Sequence, residues 1–295
     1  MKEFKNWFFL IILAFIWGSS FILIKRGLYT PAGSELFTST QVGAMRIVIA
    51  AIFMLPFSIK SIKILATKKI GFFLVVGLFG NALPAFLFAI AQTKISSALA
   101  GMLNALVPLF SLLIAFFIFK VRVRYWQVVG LIIGLAAAIG LVYFSEGDIE
   151  GSANNWYALL AVAATLCYAI SLNTIKQYLQ EESAVNITGL ALLLVSPIGI
   201  FLLISTGFYT TLTETQGSLS GFGAIAILAI VGTALALIIF NSLVKETSAI
   251  FASSVTYLIP LVAILWGVAD GESLEFLQIA CAFVMLGGIF LINRK

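Results

Sequence analysis

The sequence predicts an all-α membrane protein: ten transmembrane helices in two inverted five-helix repeats. Three observations carry this reading. Of 295 residues, 62% are hydrophobic and only 10% charged, against roughly 45–50% and about 25% in soluble domains. The apolar residues fall into ten runs, each near the roughly 20 residues that an α-helix needs to cross a hydrocarbon core of about 30 Å. A shift of 152 positions then lays the middle of one half on the middle of the other.

No water-soluble fold hides this much apolar surface. The composition excludes a cytosolic enzyme, a secreted disulfide scaffold and a disordered regulator. The absence of histidine removes His-based triads, imidazole metal sites and histidine proton relays. Cys167 and Cys281 form no CxxC pair and read as buried free thiols. No cofactor and no metal are expected. Net charge is +5, but the basic residues lie between apolar runs, where they orient a chain in a bilayer rather than grip nucleic acid.

The first span covers 6–27. Lys2 and Lys5 ahead of it suggest a signal peptide, but the apolar run is too long and Ser19-Ser20 is followed at once by more apolar helix, so it reads as uncleaved. The second, 38–58, holds Arg46 about eight residues in. The third, 70–92, puts Asn81, Pro84, Phe88 and Gln92 on one face. On the fourth, 95–119, Ser97, Gly101, Asn104, Pro108 and Ser111 recur at steps of three or four. The fifth, 125–144, has Gly130 and Gly134 placed for close helix approach. An acidic linker, 145–155, follows the first repeat (6–144).

The second repeat, 156–293, has the same plan. Its first span, 156–177, carries Thr165, Tyr168 and Ser171, and the next is 185–205. Span eight, 222–243, presents Thr233, Leu237 and Asn241. Span nine, 247–269, presents Ala249, Ser253, Thr256, Pro260 and Ala263, with Tyr257 beside them. Span ten is 274–292. Connections are short, so nearly everything between spans reads as turn.

Charge fixes the orientation. With the N-terminus inside, the inside segments hold Lys2, Lys5, Lys60, Lys63, Lys68, Lys69, Lys120, Arg122, Arg124, Lys176, Lys245, Arg294 and Lys295, which is 13 of the 17 basic residues. Lys25, Arg26 and Lys94 remain outside. Basic bias in short loops sets topology, so both termini are expected in the cytoplasm and the 145–155 linker outside.

Eleven of 43 positions are identical when 71–113 is laid on 223–265, among them Gly80/Gly232, Phe88/Phe240 and Pro108/Pro260. Ile24-Lys25 is echoed by Ile175-Lys176. Each half has an odd number of spans, so the second enters the membrane from the opposite face. Such inverted repeats exchange conformations to open a central site to alternate sides.

Polar groups in hydrocarbon must be satisfied and tend to face a bundle interior or a cavity. Ser and Thr commonly bond their own helix and Asn can simply join helices. The joint pattern in both halves points instead to a central polar cavity. Its candidate lining is Trp17, Ser20, Asn81, Asn104, Tyr168, Thr233, Asn241, Thr256 and Tyr257. Pro108 and Pro260 are hinges or static kinks. Lys25 is expected to snorkel towards the surface, while Arg46 is the better candidate for pairing or for orienting a substrate. No Asp or Glu lies mid-span.

Trp17-Gly18-Ser19-Ser20-Phe21, followed by Ile24-Lys25, resembles the opening signature of the EamA family of the drug/metabolite transporter superfamily. Arg46 ahead of Ile49-Ala50-Ala51, and Ala98 through Leu109, resemble that family's second and fourth spans. Leu166-Cys167-Tyr168-Ala169-Ile170 departs from the Trp-Gly-Ser element. The resemblance implies ten helices, both termini inside and a cavity lined by spans one, three, four, six, eight and nine. It also implies efflux of amino acids or related small metabolites across a bacterial inner membrane. A phosphate- or nucleotide-linked exchanger would want several cavity cations, and one or two are available. An intramembrane hydrolase would want a His, a mid-span Asp or a Ser–base pair, and none is present. A subunit without cargo is the remaining alternative. The expected partners are a small-molecule substrate and the lipid bilayer, with a homodimer left open.

Overall fold

The computed structural model describes residues 2–120, 123–144, 155–246 and 255–293. Among them the regular structure is helical, apart from one isolated β-bridge between Tyr29 and Glu35. The spans are α1 (Lys2–Leu28), α2 (Ser39–Ser58), α3 (Ile70–Ala91), α4 (Ser97–Phe117), α5 (Tyr125–Tyr143), α6 (Asn155–Tyr178), α7 (Ala184–Ser205), α8 (Ser218–Phe240, continuing to Glu246), α9 (Val255–Ala269) and α10 (Phe276–Asn293). Among the described residues, eight are long and apolar enough to cross a membrane. The two shorter apolar helices belong to α9 and α10. The expected start of span nine, with Ala249 and Ser253, lies outside the described residues, as does the 145–154 part of the linker.

Local chemistry sets the ends. Thr38 caps α2 through a reciprocal pair: its hydroxyl accepts from Gln41 N–H at 3.2 Å, and Gln41 Oε1 accepts from Thr38 N–H at 3.1 Å. Ser96 and Ser183 cap α4 and α7 in the simpler way, each accepting from a backbone N–H three residues on, at 3.1 Å. The loops hold more structure than the sequence suggested. Ile59–Ala66 continues α2 as a 3-10 helix, and Phe208–Glu214 forms a short helix before α8. Apolar residues such as Phe201, Ile204, Ile139 and Phe290 stand on the outer surface, where lipid covers them. Tyr125, Trp126, Tyr143 and Trp156 are exposed at helix ends, the level at which amphipathic rings sit in a bilayer.

The two halves interlock. Repeat equivalents pack directly on each other in α2 with α7 and in α5 with α10. The other contacts are exchanged: α1 packs on α8 and α9, and its equivalent α6 packs on α3 and α4. In the same way α2 meets α8 while α7 meets α3. This reciprocity is the mark of two five-helix repeats related by an approximate two-fold axis. The α5–α10 pair is so close that a Cβ on Gly288 would meet Gly130 O at 2.7 Å and Gly134 N at 2.8 Å, which accounts for the small residues there.

Candidate functional site

Periodicity did not reveal how α3 and α8 are wound. Each contains a π-helical turn, Leu78–Ala82 in α3 and Leu228–Leu235 in α8. The two segments overlap under the 152-residue shift, and in each the polar residue bonds five positions back. Asn81 Nδ2 donates to Val76 O at 3.3 Å, and Thr233 Oγ1 donates to Leu228 O at 3.3 Å. Such wide turns are rare and cluster at functional sites. The glycine before each polar residue admits a serine from the partner helix. Ser171 of α6 crowds the face of Gly80, and Ser20 Oγ lies 3.2 Å from where a Cβ on Gly232 would stand.

Two related clusters result, each across the boundary between halves. In one, Trp17 Nε1 donates to Gly232 O at 3.1 Å and the Trp17 ring packs on Phe240 at 5.1 Å between centroids. In the other, the Tyr168 ring lies on Phe88 at 6.1 Å, and Phe88 meets Phe21 edge-on at 5.4 Å. Phe88 and Phe240 are repeat equivalents, as are Tyr168 and Trp17 at a shift of 151. Arg46 joins the first cluster, with Nε donating to Thr233 Oγ1 at 3.1 Å. Trp17, Ser20, Arg46 and Thr233 are thus brought together, while Asn81 stands beside Gly80 and Ser171, and Tyr168 packs on Phe88 of the same helix α3. Ser20 itself donates to Ile16 O at 3.2 Å, as a hydroxyl commonly does within its own helix.

Asn104 opens a 3-10 turn, Asn104–Leu106, just ahead of Pro108 in α4, and is half-buried. The proline lacks an N–H, so a break in the ladder falls where the sequence placed it. Its equivalent Pro260 sits inside the continuous helix α9, and Thr256, one turn earlier, is half-buried. The side chains of Asn241 and Tyr257 lie outside the described residues. Asn173, not singled out from sequence, is buried and donates to Ser111 Oγ at 2.9 Å, tying α6 to α4. Cys167 is buried, whereas Cys281 is only half-buried, at the edge of the α5–α10 contact; both are free thiols.

Lys25 is held by an ion pair at the end of its helix. Its ammonium lies 2.6 Å from Asp270 and 2.8 Å from Glu272, both in the loop joining α9 to α10 and both almost wholly buried. Arg26 pairs with Asp270 as well. Glu272 also accepts from Ser97 N–H at 2.9 Å, Ser97 Oγ at 2.8 Å and Ala98 N–H at 3.0 Å, at the N-terminus of α4, where a helix dipole favours an anion. Burial on its own pushes the Glu272 pKa up. The Lys25 ammonium and the Ala98 and Ser97 donors outweigh that and hold it below the ordinary carboxylate value. Two glycines shape the loop. Gly271 adopts φ +81°, and a Cβ on Gly267 would stand 2.5 Å from Glu272 Oε2. A cleft of about 420 Å³ opens beside this latch, lined by Lys25, Gln92, Lys94, Asp270 and Glu272 among others. Neither Trp17, Asn81, Tyr168 nor Thr233 reaches it.

Comparison with known proteins agrees with this architecture. The family model of the EamA-like transporter family matches residues 5–143 and again 155–294. A protein of Archaeoglobus fulgidus named as an uncharacterized transporter is 26% identical over 99% of both chains. The inner membrane transporter YedA of Escherichia coli, also named as uncharacterized, is 26% identical over 96% of this chain and 89% of its own. One solved crystal structure shares the fold with a TM-score of 0.63, at 16% identity over 97% of this chain and 96% of that one. Duplicated across two interlocked five-helix repeats, the chain belongs to the EamA-like transporter family and is a multi-pass membrane transporter, not an enzyme.

Proposed function

We propose that the protein is an alternating-access exporter of small polar or amphipathic metabolites, amino acids among them, in a bacterial inner membrane with both termini in the cytoplasm. The observation that carries this reading is the latch. Lys25 at the end of α1 belongs to the first repeat, and Asp270 and Glu272 belong to the second. A bond between halves at one end of the bundle is what an alternating-access cycle has to make and break. The basic bias puts that end outside. The paired clusters around the two wide turns then lie deeper in the membrane, where Trp17 and Tyr168 offer flat walls and Asn81, Thr233 and Arg46 polar contacts. Asn104 and Thr256, repeat equivalents on α4 and α9, extend the same lining.

Comparing metabolites released by cells that overproduce the protein and cells that lack it tests the export reading. A compound that accumulates outside overproducers, and whose counterflow in proteoliposomes drops with Asn104→Leu and Thr256→Val, supports it. An unchanged metabolite profile, with no counterflow, overturns it. Orientation is tested separately with an impermeant thiol reagent. In intact cells Gly147→Cys should be modified and Lys63→Cys protected, and the reverse pattern inverts the topology.

A further inference from the structure

The two wide turns are equivalent by repeat but differ in how their polar residues are satisfied. Thr233 uses both sides of its hydroxyl: it donates to Leu228 O and accepts from Arg46 Nε at 3.1 Å. Asn81 makes the matching donation to Val76 O, but its Oδ1 is buried with no hydrogen-bond partner. The residue is only 7% exposed. A buried amide carbonyl without a donor is an expensive arrangement that native proteins seldom keep without a use.

The reason lies in the second repeat. The helix that should supply the counterpart of Arg46 is α7, and no residue of α7 is basic. Arg46 has the complementary imbalance. Its guanidinium is half-buried within a span, and among the described residues it has no carboxylate partner. A guanidinium at membrane depth calls for an anion. The two unmatched groups stand on helices that touch. Ile47, next to Arg46, and Ala82, next to Asn81, pack in one apolar cluster.

We propose that Asn81 Oδ1 receives the ammonium of the cargo while Arg46 receives its carboxylate. A zwitterionic metabolite is then held in a fixed direction, amine towards the wide turn of the first repeat and acid towards that of the second. The assignment rests on the exporter reading and adds a polarity to it. It also explains why the acceptor is an amide. A carboxylate at position 81 would compete strongly with the cargo for the guanidinium of Arg46, whereas a neutral amide oxygen competes far more weakly and still accepts an ammonium N–H.

The experiment is counterflow in proteoliposomes with a panel of amino acids in three forms: free, N-acetylated (no ammonium) and carboxamide (no carboxylate). The parent should move the free form at least tenfold faster than either derivative. Asn81→Leu should bring the ratio of free to N-acetyl form close to one and leave the ratio of free to carboxamide form intact. Arg46→Gln should do the opposite. Asn81→Ser, which keeps a smaller acceptor, should recover part of the amine preference and serves as the assay if Asn81→Leu does not fold. A packing role for Asn81 would lower all three rates together. If a free amino acid is transported and the Asn81 variants keep the parental amine preference, the orientation is wrong and the exporter stands. If no panel member moves in the parent, amino-acid transport fails and the orientation fails with it.

Discussion

Lys25 and Glu272 lie 247 positions apart in sequence and 2.8 Å apart in space, and they join the first repeat to the second at one end of the bundle. The repeat equivalent of Lys25 is Lys176, which is exposed, and the position 152 before Glu272 is Lys120 rather than an acid. The latch is therefore not repeated at its symmetry-related position, and a different pair between the halves, Lys69 with Glu182 at 2.7 Å, joins the start of α3 to the α6–α7 loop at the other end. An approximately symmetric scaffold thus carries unlike locks at its two ends, and in the proposed cycle the more buried one, at Lys25, would bias which side opens.

Removing either partner should loosen that lock. Lys25→Gln and Glu272→Gln are each expected to lower stability by about 1–3 kcal/mol, since the surviving group keeps a buried charge. The smaller end of that range applies to Glu272→Gln, because the surviving lysine is partly solvated and keeps Asp270 as a partner. Thermal denaturation in detergent gives the first readout. The second is exchange rate in liposomes, which should rise once the latched end opens at lower cost. Variants that melt and exchange like the parent would show that the pair closes nothing.

Acid should act through Glu272. Its pKa in the folded protein is held below the ordinary value of 4.5. The contribution of the ionised carboxylate is therefore complete above that ordinary value and is lost as pH falls through the lowered one. The melting temperature should stay level from about pH 7 to pH 5 and drop below about pH 4. Glu272→Gln should shrink the acid drop. An acid limb that is unaltered in the variant would assign it to other carboxylates.

The α5–α10 contact gives a prediction free of charge. A methyl group on Gly288 meets only backbone, Gly130 O at 2.7 Å and Gly134 N at 2.8 Å, and backbone cannot rotate out of the way. Gly288→Ala should cost about 1–3 kcal/mol of stability. Its neighbour Gly287 has nothing within 4 Å of a built Cβ, so Gly287→Ala is the control and should melt like the parent. Equal melting of the two variants would mean that the helices separate at little cost.

These cases show what a linear reading can and cannot reach. The spans were legible because hydrocarbon thickness sets their length, and Gly130 and Gly134 because close approach needs small residues at helical spacing. Gly80 and Gly232 were visible as repeat identities. The wide turns around them were not, since a π-helical turn inserts a residue without changing the apolar character of the run. Asn81, Arg46, Thr233, Trp17 and Tyr168 were found as candidates because polar or amphipathic groups at membrane depth are costly. Their grouping into two clusters depends on contacts between halves that no local spacing encodes. The latch was missed for the same reason. Asp270 and Glu272 stand in a short connection between spans, where acids are ordinarily solvated, and only the return of their loop over the ends of α1 and α4 buries them.

The last prediction concerns energy coupling. A proton-coupled cycle needs a group that gains and loses a proton during transport, commonly a carboxylate or imidazole within the membrane. The chain has no histidine, and among the described residues its acids lie in loops or at helix ends. Glu272, the acid whose burial would best suit it to such a role, is pulled the wrong way: its neighbours keep it ionised rather than raising its pKa towards neutrality. Transport should therefore run as facilitated diffusion or substrate exchange. In proteoliposomes with substrate equal on both sides and the membrane potential clamped, an imposed pH gradient should produce no net accumulation. Substrate that moves uphill under that gradient, and stops when a protonophore is added, would establish proton coupling and require a titrating group other than the latch.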